Sequence, residues 1–260
     1  MTVSFVIPFH NEEKNCLLML GKVLDFSKKH KLNFEIIAVD DKSVDQTSSI
    51  LKKIAQRNKL IRPIFRKIDG LEEGNTMGTA LLAGTREARG NIIIWTMGDL
   101  ADDPNTYLAI IKKIEDGFDL VFGSRYMPGG SRGNLDPLKA YLSSSGTRLA
   151  RLFFRIPVHD ITNAFRGFKK ELLTKVKLEE SGFSISPEFA IKAHKIGFKL
   201  GEVPTVYTNR IEGVSSFKLY RMIKSYLRLY LKLWFRLILQ PCLFKFRKTI
   251  FRNRLADFFH

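Results

Sequence analysis

The chain reads as an α/β protein built on a mainly parallel central sheet and followed by a basic amphipathic helix. Three observations predict this. Through the first half, short apolar runs alternate with segments of helical periodicity, the pattern of a parallel sheet covered on both faces. Polar residues collect directly after the runs: Asn11 and Glu12 after the first, Asp40 and Asp41 after the second, Asp99 after the fourth. In open sheets of this kind ligands bind at the carboxyl ends of the strands. From Leu219 to Leu239 the composition turns aromatic and aliphatic, with a cation every three or four residues.

Strands are expected at Val3 to Pro8, Phe34 to Val39, Ile61 to Phe65, Ile92 to Thr96 and Leu120 to Phe122, where apolar residues run together. Helices are expected near Glu12 to Lys29, Gln46 to Asn58, Gly74 to Arg89 and Pro104 to Asp116. Asp45 and Asp103 stand where N-caps belong. The stretch after the fourth run, Met97-Gly98-Asp99-Leu100-Ala101-Asp102-Asp103-Pro104, is the most informative in the chain. Carboxylates clustered after a buried strand can hold a divalent cation and, through it, a phosphate. The alternative is a polar loop whose Asp103 caps the next helix. Gly123 to about Lys218 continues the same domain with shorter, mixed elements and a glycine-rich loop at Gly129 to Gly133, without a Pro/Ser-rich linker. The chain thus divides into a domain over 1–217 and a tail over 218–260.

At 260 residues and 45% hydrophobic content, the chain has ample material for a packed core. Its two cysteines, Cys16 and Cys242, are far apart and lack metal-ligand spacing, which argues against a disulfide framework or a zinc site and fits a reducing, cytosolic compartment. Met1-Thr2-Val3 runs into the first apolar segment without a basic n-region, so no export signal is expected. The formal charge of +17 calls for an anionic partner, and its distribution selects among the candidates. From Lys218 onward there are eleven Lys and Arg against Asp257 alone, ten of the seventeen net charges. No DNA- or RNA-recognition motif accompanies them, so nucleic acid is not expected as a partner.

Within the tail, Arg221, Lys224, Arg228, Lys232 and Arg236 share one helical stripe, and Tyr220, Tyr226, Tyr230, Trp234 and Phe235 lie on the remaining surface. A transmembrane span would place five cations in hydrocarbon. A helix in the headgroup plane of an anionic membrane, with its rings at the interface, meets the pattern, and Phe244, Phe246, Ile250, Phe251, Phe258 and Phe259 continue it. The competing reading is a helix packed on the domain with a solvated basic face.

Val6-Ile7-Pro8-Phe9-His10-Asn11-Glu12-Glu13 and Val39-Asp40-Asp41-Lys42-Ser43-Val44-Asp45-Gln46-Thr47 together resemble the opening of family-two glycosyltransferases of the GT-A fold. Within that family the dolichyl- and polyprenyl-phosphate sugar synthases are the subgroup the chain resembles. The motifs that carry this are Gly123-Ser124-Arg125-Tyr126 with Pro128-Gly129-Gly130, Asp160-Ile161-Thr162-Asn163-Ala164-Phe165-Arg166, Glu202-Val203-Pro204, and Arg210-Ile211-Glu212-Gly213-Val214-Ser215, in the expected order over about residues 3 to 220. The resemblance implies an inverting transfer of a sugar, mannose or glucose first, from a GDP- or UDP-linked donor to a polyprenyl phosphate on the cytoplasmic face of the membrane. A glycan or other lipid acceptor, and a degenerate nucleotide-sugar-binding protein, are the alternatives. It implies Mg²⁺ or Mn²⁺ at Asp99, a donor-side set of Pro8, His10, Glu12, Val39, Asp41, Gly98, Asp99 and Lys218, and a catalytic set of Asp160, Arg125 and Arg210.

Several of these roles have a physical rationale. A carboxylate at Asp41 can accept hydrogen bonds from a base or ribose. Arg125 and Arg210 are expected to face ligand phosphate, where cations stabilise the leaving diphosphate. Asp160 is expected nearest the anomeric carbon, orienting an acceptor phosphate that is already ionised; its alternative role is a buried pair with Arg166. His159 reads as an ordinary loop histidine and Glu188 as a structural acid at a helix start. The chain departs from the family at Met97, where an Asp is usual, and at Ala101, a ligand position in some relatives, leaving Asp102 or Asp103 to compensate.

Overall fold

The structure is a computed structural model that describes residues 1–67, 76–208 and 219–239. In chain order its elements are β1 (Thr2–Phe9), α1 (Cys16–Lys29), β2 (Asn33–Asp41), α2 (Thr47–Arg57), β3 (Ile61–Arg66), α3 (Met77–Glu87), β4 (Ile92–Trp95), α4 (Thr106–Glu115), β5 (Leu120–Ser124), α5 (Pro137–Phe154), β6 (Arg166–Lys169), α6 (Leu172–Lys175), α7 (Ile185–Lys195), β7 (Leu200–Pro204) and α8 (Leu219–Trp234), which runs into a π-helical turn at Phe235–Leu239. The five expected strands are present. The seven strands form one sheet in the order β3-β2-β1-β4-β6-β5-β7. Pairing is parallel except at β6, which runs antiparallel to both neighbours. Strand order reverses between β1 and β4, which opens a crevice at their carboxyl ends.

Near-continuous apolar strands arise because both faces are covered. Alternate side chains serve opposite layers: Val6, Ile37, Val39, Ile93 and Trp95 pack with α3, α5 and α7, while Phe5, Ile7, Ile36, Ala38, Ile92 and Ile94 pack with α1, α2 and α4.

Helix starts differ from expectation for local reasons. Residues 12–15 form a turn in which the Asn15 and Cys16 amides both donate to the Glu12 carbonyl, so α1 begins at Cys16. Asp103 accepts the Asn105 amide at 2.9 Å, which makes Asn105 the cap and delays α4 to Thr106. Asp45 precedes the cap Gln46, yet its Oδ1 accepts the first helical amide of α2, Thr47, at 3.0 Å. Residues 74–75 of the expected third helix lie outside the described residues.

Helix α8 lies against the domain. Met222, Tyr226, Leu229, Tyr230 and Leu233 are buried, and the last three join the layer formed by α5 and α7. Tyr230 Oη donates to the Gly146 carbonyl at 3.0 Å, and its ring meets Phe154 edge-on. Tyr226 and Tyr230 therefore face the core, a correction to their expected place among interfacial rings: positions 222, 226, 229, 230 and 233 form their own helical face. Leu229→Ala on that face is expected to cost about 2–5 kcal/mol by the usual cavity penalty. Leu231→Ala, at 68% exposure, should stay within about 0.5 kcal/mol of the parent. Denaturant melts of the two variants check the packing.

Candidate active site

The crevice is walled by three loops, after β1, β2 and β4, and each contains a non-glycine residue in the left-handed region: Asn11 (φ 55°), Lys42 (φ 64°) and Leu100 (φ 66°). Asn tolerates that conformation, whereas a leucine there is strained and must be held by its surroundings. Thr208 supplies part of the hold, its Oγ1 donating to the Leu100 carbonyl at 3.2 Å and its amide to the Ala101 carbonyl at 3.0 Å.

The β1 and β2 loops interlock. Asn11 donates its amide to Ser43 Oγ at 2.9 Å and accepts the Val44 amide at 2.8 Å, while the Glu12 amide donates to Thr47 Oγ1 at 2.9 Å. The Glu12 carboxylate accepts from Asn15 at 2.6 Å. His10 Nδ1 donates to the Asp41 carbonyl at 2.6 Å, which sets the tautomer and joins two residues of the donor-side set. The Asp41 carboxylate is 2.5 Å from Arg66 Nη1 and accepts Thr76 Oγ1 at 2.7 Å. Asp40 instead orders its own turn through the Ser43 amide and Ser48 Oγ. Val39 is fully buried in the sheet, so its side chain lines the core. Arg66 and Thr76 escaped the sequence reading; Arg66 ends β3 and obeys the same strand-end rule as Asp41, whereas Thr76 carries no sequence signal.

The β4 loop crosses close over β1. A Cβ at Gly98 would lie 2.5 Å from the Phe9 ring and 2.8 Å from the Pro8 carbonyl, so only glycine fits and Asp99 follows directly beside that strand end. Asp99 is 7% exposed, and its Oδ1 accepts the Ala101 amide at 3.2 Å. Asp102 does not point outward as a replacement ligand. It accepts Thr96 Oγ1 at 3.0 Å and the Met97 amide at 2.9 Å. Burial, and then the charge of Asp99, push its carboxyl up to about 7 against those hydrogen bonds. Among the described residues no cluster of three or more His, Cys, Asp or Glu could hold a metal ion. Of the carboxylates expected at this loop, Asp99 is the one left among the described residues that could serve a cation, and a single carboxylate would suit one that takes its remaining ligands from diphosphate oxygens and water.

On the other side, β5 ends at Ser124 and delivers Arg125 onto Asp160. The pair is bidentate, Nε to Oδ2 at 2.8 Å and Nη2 to Oδ1 at 3.1 Å, and Nη2 also reaches Thr162 Oγ1 at 3.2 Å. Asp160 is fully buried and the Arg125 side chain is 9% exposed. Burial pulls the Arg125 guanidinium down, but the Asp160 carboxylate more than offsets it and the net shift is upward. Arg125, expected to face ligand phosphate, is thus held by a buried carboxylate of its own chain. The alternative pairing of Asp160 with Arg166 is absent. Arg166 donates instead to backbone carbonyls. His159 gives its amide and Nδ1 to Glu202 at 2.8 and 2.5 Å, and buried Glu188 accepts the Glu179 and Glu180 amides and Lys192 Nζ. Arg210 and Lys218 lie outside the described residues.

Two measurements follow from this geometry. Arg125→Ala leaves the buried Asp160 charge unpaired and is expected to destabilise by about 3–5 kcal/mol, with part of the loss recovered in the Arg125→Ala/Asp160→Ala double variant. Asp102, whose native carboxyl holds its proton more tightly than the unfolded chain does, contributes stability that is full below about pH 4 and lost as pH rises through about 7. In metal-free buffer the parent should therefore weaken across that window relative to Asp102→Asn, as read by denaturant midpoints at several pH values.

Residues 4–177 match the glycosyl transferase family 2. The chain is 29% identical over 216 residues to the polyprenol monophosphomannose synthase of Mycolicibacterium smegmatis, covering 81% of this chain and 78% of that one. It is 30% identical over 232 residues to the dolichol-phosphate mannosyltransferase of Pyrococcus furiosus, covering 88% of this chain but only 62% of that relative's length. Among solved structures, glucosyl-3-phosphoglycerate synthase from Mycobacterium tuberculosis, in complex with Mn²⁺, uridine diphosphate and phosphoglyceric acid, superposes with a TM-score of 0.61 at 18% identity over 88% of this chain and 76% of that one. At that identity the likeness concerns the fold, which is the GT-A arrangement. The chain belongs to glycosyl transferase family 2.

Proposed function

We propose that this glycosyltransferase moves a sugar, mannose first and glucose second, from a nucleoside diphosphate to a polyprenyl phosphate at a membrane surface, with inversion at the anomeric carbon. The observation that carries the reading is the pair of relatives named for polyprenol and dolichol phosphate mannose transfer, whose matches are longer than the segment that defines the family. In this reading Asp41, with Arg66, Thr76 and His10, faces the nucleoside, and Pro8, Glu12, Gly98 and Lys218 complete the donor side, while Val39 supports it only from the core. Asp99 would hold Mg²⁺ or Mn²⁺, which when bound offsets charge on the leaving diphosphate. The Arg125–Asp160 unit, with Arg210, receives the acceptor phosphate. An ionised phosphate attacks without a strong base, so Asp160 serves to orient rather than to deprotonate.

Helix α8 supports the membrane part of the proposal. Beside its core-facing residues it presents two further arcs to solvent: an apolar one of Tyr220, Leu227, Leu231 and Trp234, and a cationic one headed by Arg221, Lys224 and Arg228. Lys232 and Arg236 are already 2.6 and 3.5 Å from Glu179, so the first three cations carry the interaction with lipid phosphate. Helix α5 adds exposed Leu138, Tyr141, Leu149, Leu152 and Phe153. Among the described residues no helix is long and apolar enough to cross a membrane, and an in-plane arrangement on the cytoplasmic face accounts for both arcs. Residues 240–260, the rest of the expected tail, lie outside the described residues.

The reading is tested first by melting-temperature shifts with GDP-mannose and UDP-glucose, each with Mg²⁺ or Mn²⁺, since a bound donor stabilises by mass action. Transfer of labelled sugar from the selected donor into polyprenyl phosphate should follow, and its absence with an active donor complex would redirect the acceptor assignment. Asp99→Asn should lose about tenfold to a hundredfold in turnover, with EDTA abolishing activity in the parent. Glutamate at Arg221, Lys224 and Arg228 together should abolish flotation with anionic vesicles, as expected if each cation contributes about 1 kcal/mol near a charged surface. Such outer-face variants are preferred to ending the chain near Phe217, which would also strip Leu229, Tyr230 and Leu233 from the core.

A further inference from the structure

Arg166 is fully buried and has no carboxylate partner among its hydrogen bonds. Its guanidinium lies over the Phe122 ring at 4.8 Å and the Trp95 ring at 5.9 Å. Four backbone carbonyls take its protons: Ala164 at 3.2 Å, Ser186 at 2.9 Å, Ile161 at 3.4 Å, and Asn163. Three of the four belong to the segment that follows Asp160, and the fourth to the first turn of α7. Burial pulls this guanidinium down to about 9, and the nearby Asp160 charge, which makes no hydrogen bond to it, offsets only part of that fall. A hydrophobic residue of similar volume would avoid that cost, so the charge has a use other than filling space.

The use is visible in the segment it grips. Residues 160–164 have no regular secondary structure, and the carbonyls of Ile161, Asn163 and Ala164 turn inward onto the buried Arg166. Ile161 is held at both ends of its peptide unit, its amide by Thr147 Oγ1 at 3.3 Å and its carbonyl by Arg166. Asn163 is held through its carbonyl by Arg166 and through its side chain, which donates to the Gly123 carbonyl at 2.9 Å. Asp160 is fixed in turn by this frame, its Oδ1 accepting the Asn163 amide at 3.2 Å.

We propose that Arg166 is a positioning residue for glycosyl transfer: by collecting the Ile161, Asn163 and Ala164 carbonyls, with Thr147 on the Ile161 amide, it sets the place and angle of the Asp160–Arg125 unit. The proposal rests on the reading of Asp160 as an orienting group. Lysine at 166 brings three donors at a point instead of a planar fork, and so loses part of the carbonyl set. A displacement of about 1 Å in an orienting group costs up to about a hundredfold in rate.

The test is a double-mutant cycle on the full chain with GDP-mannose or UDP-glucose, whichever binds, and a polyprenyl phosphate in anionic vesicles. Arg166→Lys should lower kcat about tenfold to a hundredfold, with donor affinity by calorimetry unchanged within about twofold. In the Asp160→Asn background the same substitution should cost little more, because residues acting as one unit are non-additive. Wild-type kcat with only a lowered melting temperature would overturn the proposal, as would rate losses that multiply in the double variant. If Asp160→Asn alone is fully active, the reading of Asp160 fails instead, which is a separate outcome. Thr147→Val, which keeps volume and removes only the hydroxyl facing the Ile161 amide, puts the same question if Arg166→Lys does not fold: a kcat loss non-additive with Asp160→Asn supports the clamp, and an unchanged kcat overturns it.

Discussion

Covering a parallel sheet on both faces removes water from every strand surface and leaves the strand ends as the places where charge can be kept. The rest of this molecule follows from that constraint. Side chains of β1, β2 and β4 alternate between two apolar layers, so a carboxylate within a strand needs polar partners, as Glu35 has in Ser4 and Arg62, and otherwise charge is kept at the strand ends. Asp40, Asp41 and Asp99 stand at such positions. Because strand order reverses between β1 and β4, their loops meet across one crevice instead of scattering along the rim. Gly98 brings the third loop against Phe9, so the carboxyl end of β4 closes onto that of β1.

This logic explains which parts were legible in the sequence. The first five strands announce themselves as apolar runs bounded by polar residues, and the rim carboxylates are marked by the same boundaries. What a one-dimensional pattern lacks is the identity of the partners. Arg125 and Asp160 are 35 positions apart, on the end of β5 and on an irregular segment, so their pairing is a consequence of the antiparallel insertion of β6 beside β5. Four-residue β6 begins with a charged residue and has too little periodicity to be read as a buried strand. Arg166 satisfies carbonyls, which every residue has and no sequence pattern displays. Its lack of an acid partner could not have been foreseen from the motif.

Helix α8 shows the same limit from another side. Its cations fall on one stripe, which the spacing made plain, but an amphipathic pattern separates only polar from apolar. The apolar part contains two arcs, one filled by Met222, Tyr226, Leu229, Tyr230 and Leu233 against the domain and one exposed through Tyr220, Leu227 and Leu231. Docking and lipid contact are therefore compatible. The packed-helix reading holds for one side of the helix, and the lipid contact proposed above would use the other.

The charges of the crevice also form a connected series. Asp102 is raised by the Asp99 carboxylate on one side and lowered by Arg125 on the other, and Arg125 is bound to Asp160. The side of the site proposed for the donor and the side proposed for the acceptor thus act on a common buried carboxyl. A cation at Asp99 would relieve the repulsion that raises Asp102. Conversely, weakening the grip of Arg125 on Asp160 would alter the field that Asp102 feels. Buried charges in low dielectric interact over longer distances than exposed ones, so a change on either side is felt at Asp102. Substitution on the acceptor side is for this reason expected to reach the electrostatics of the donor side, and the frame of carbonyls around Arg166 keeps that series in register.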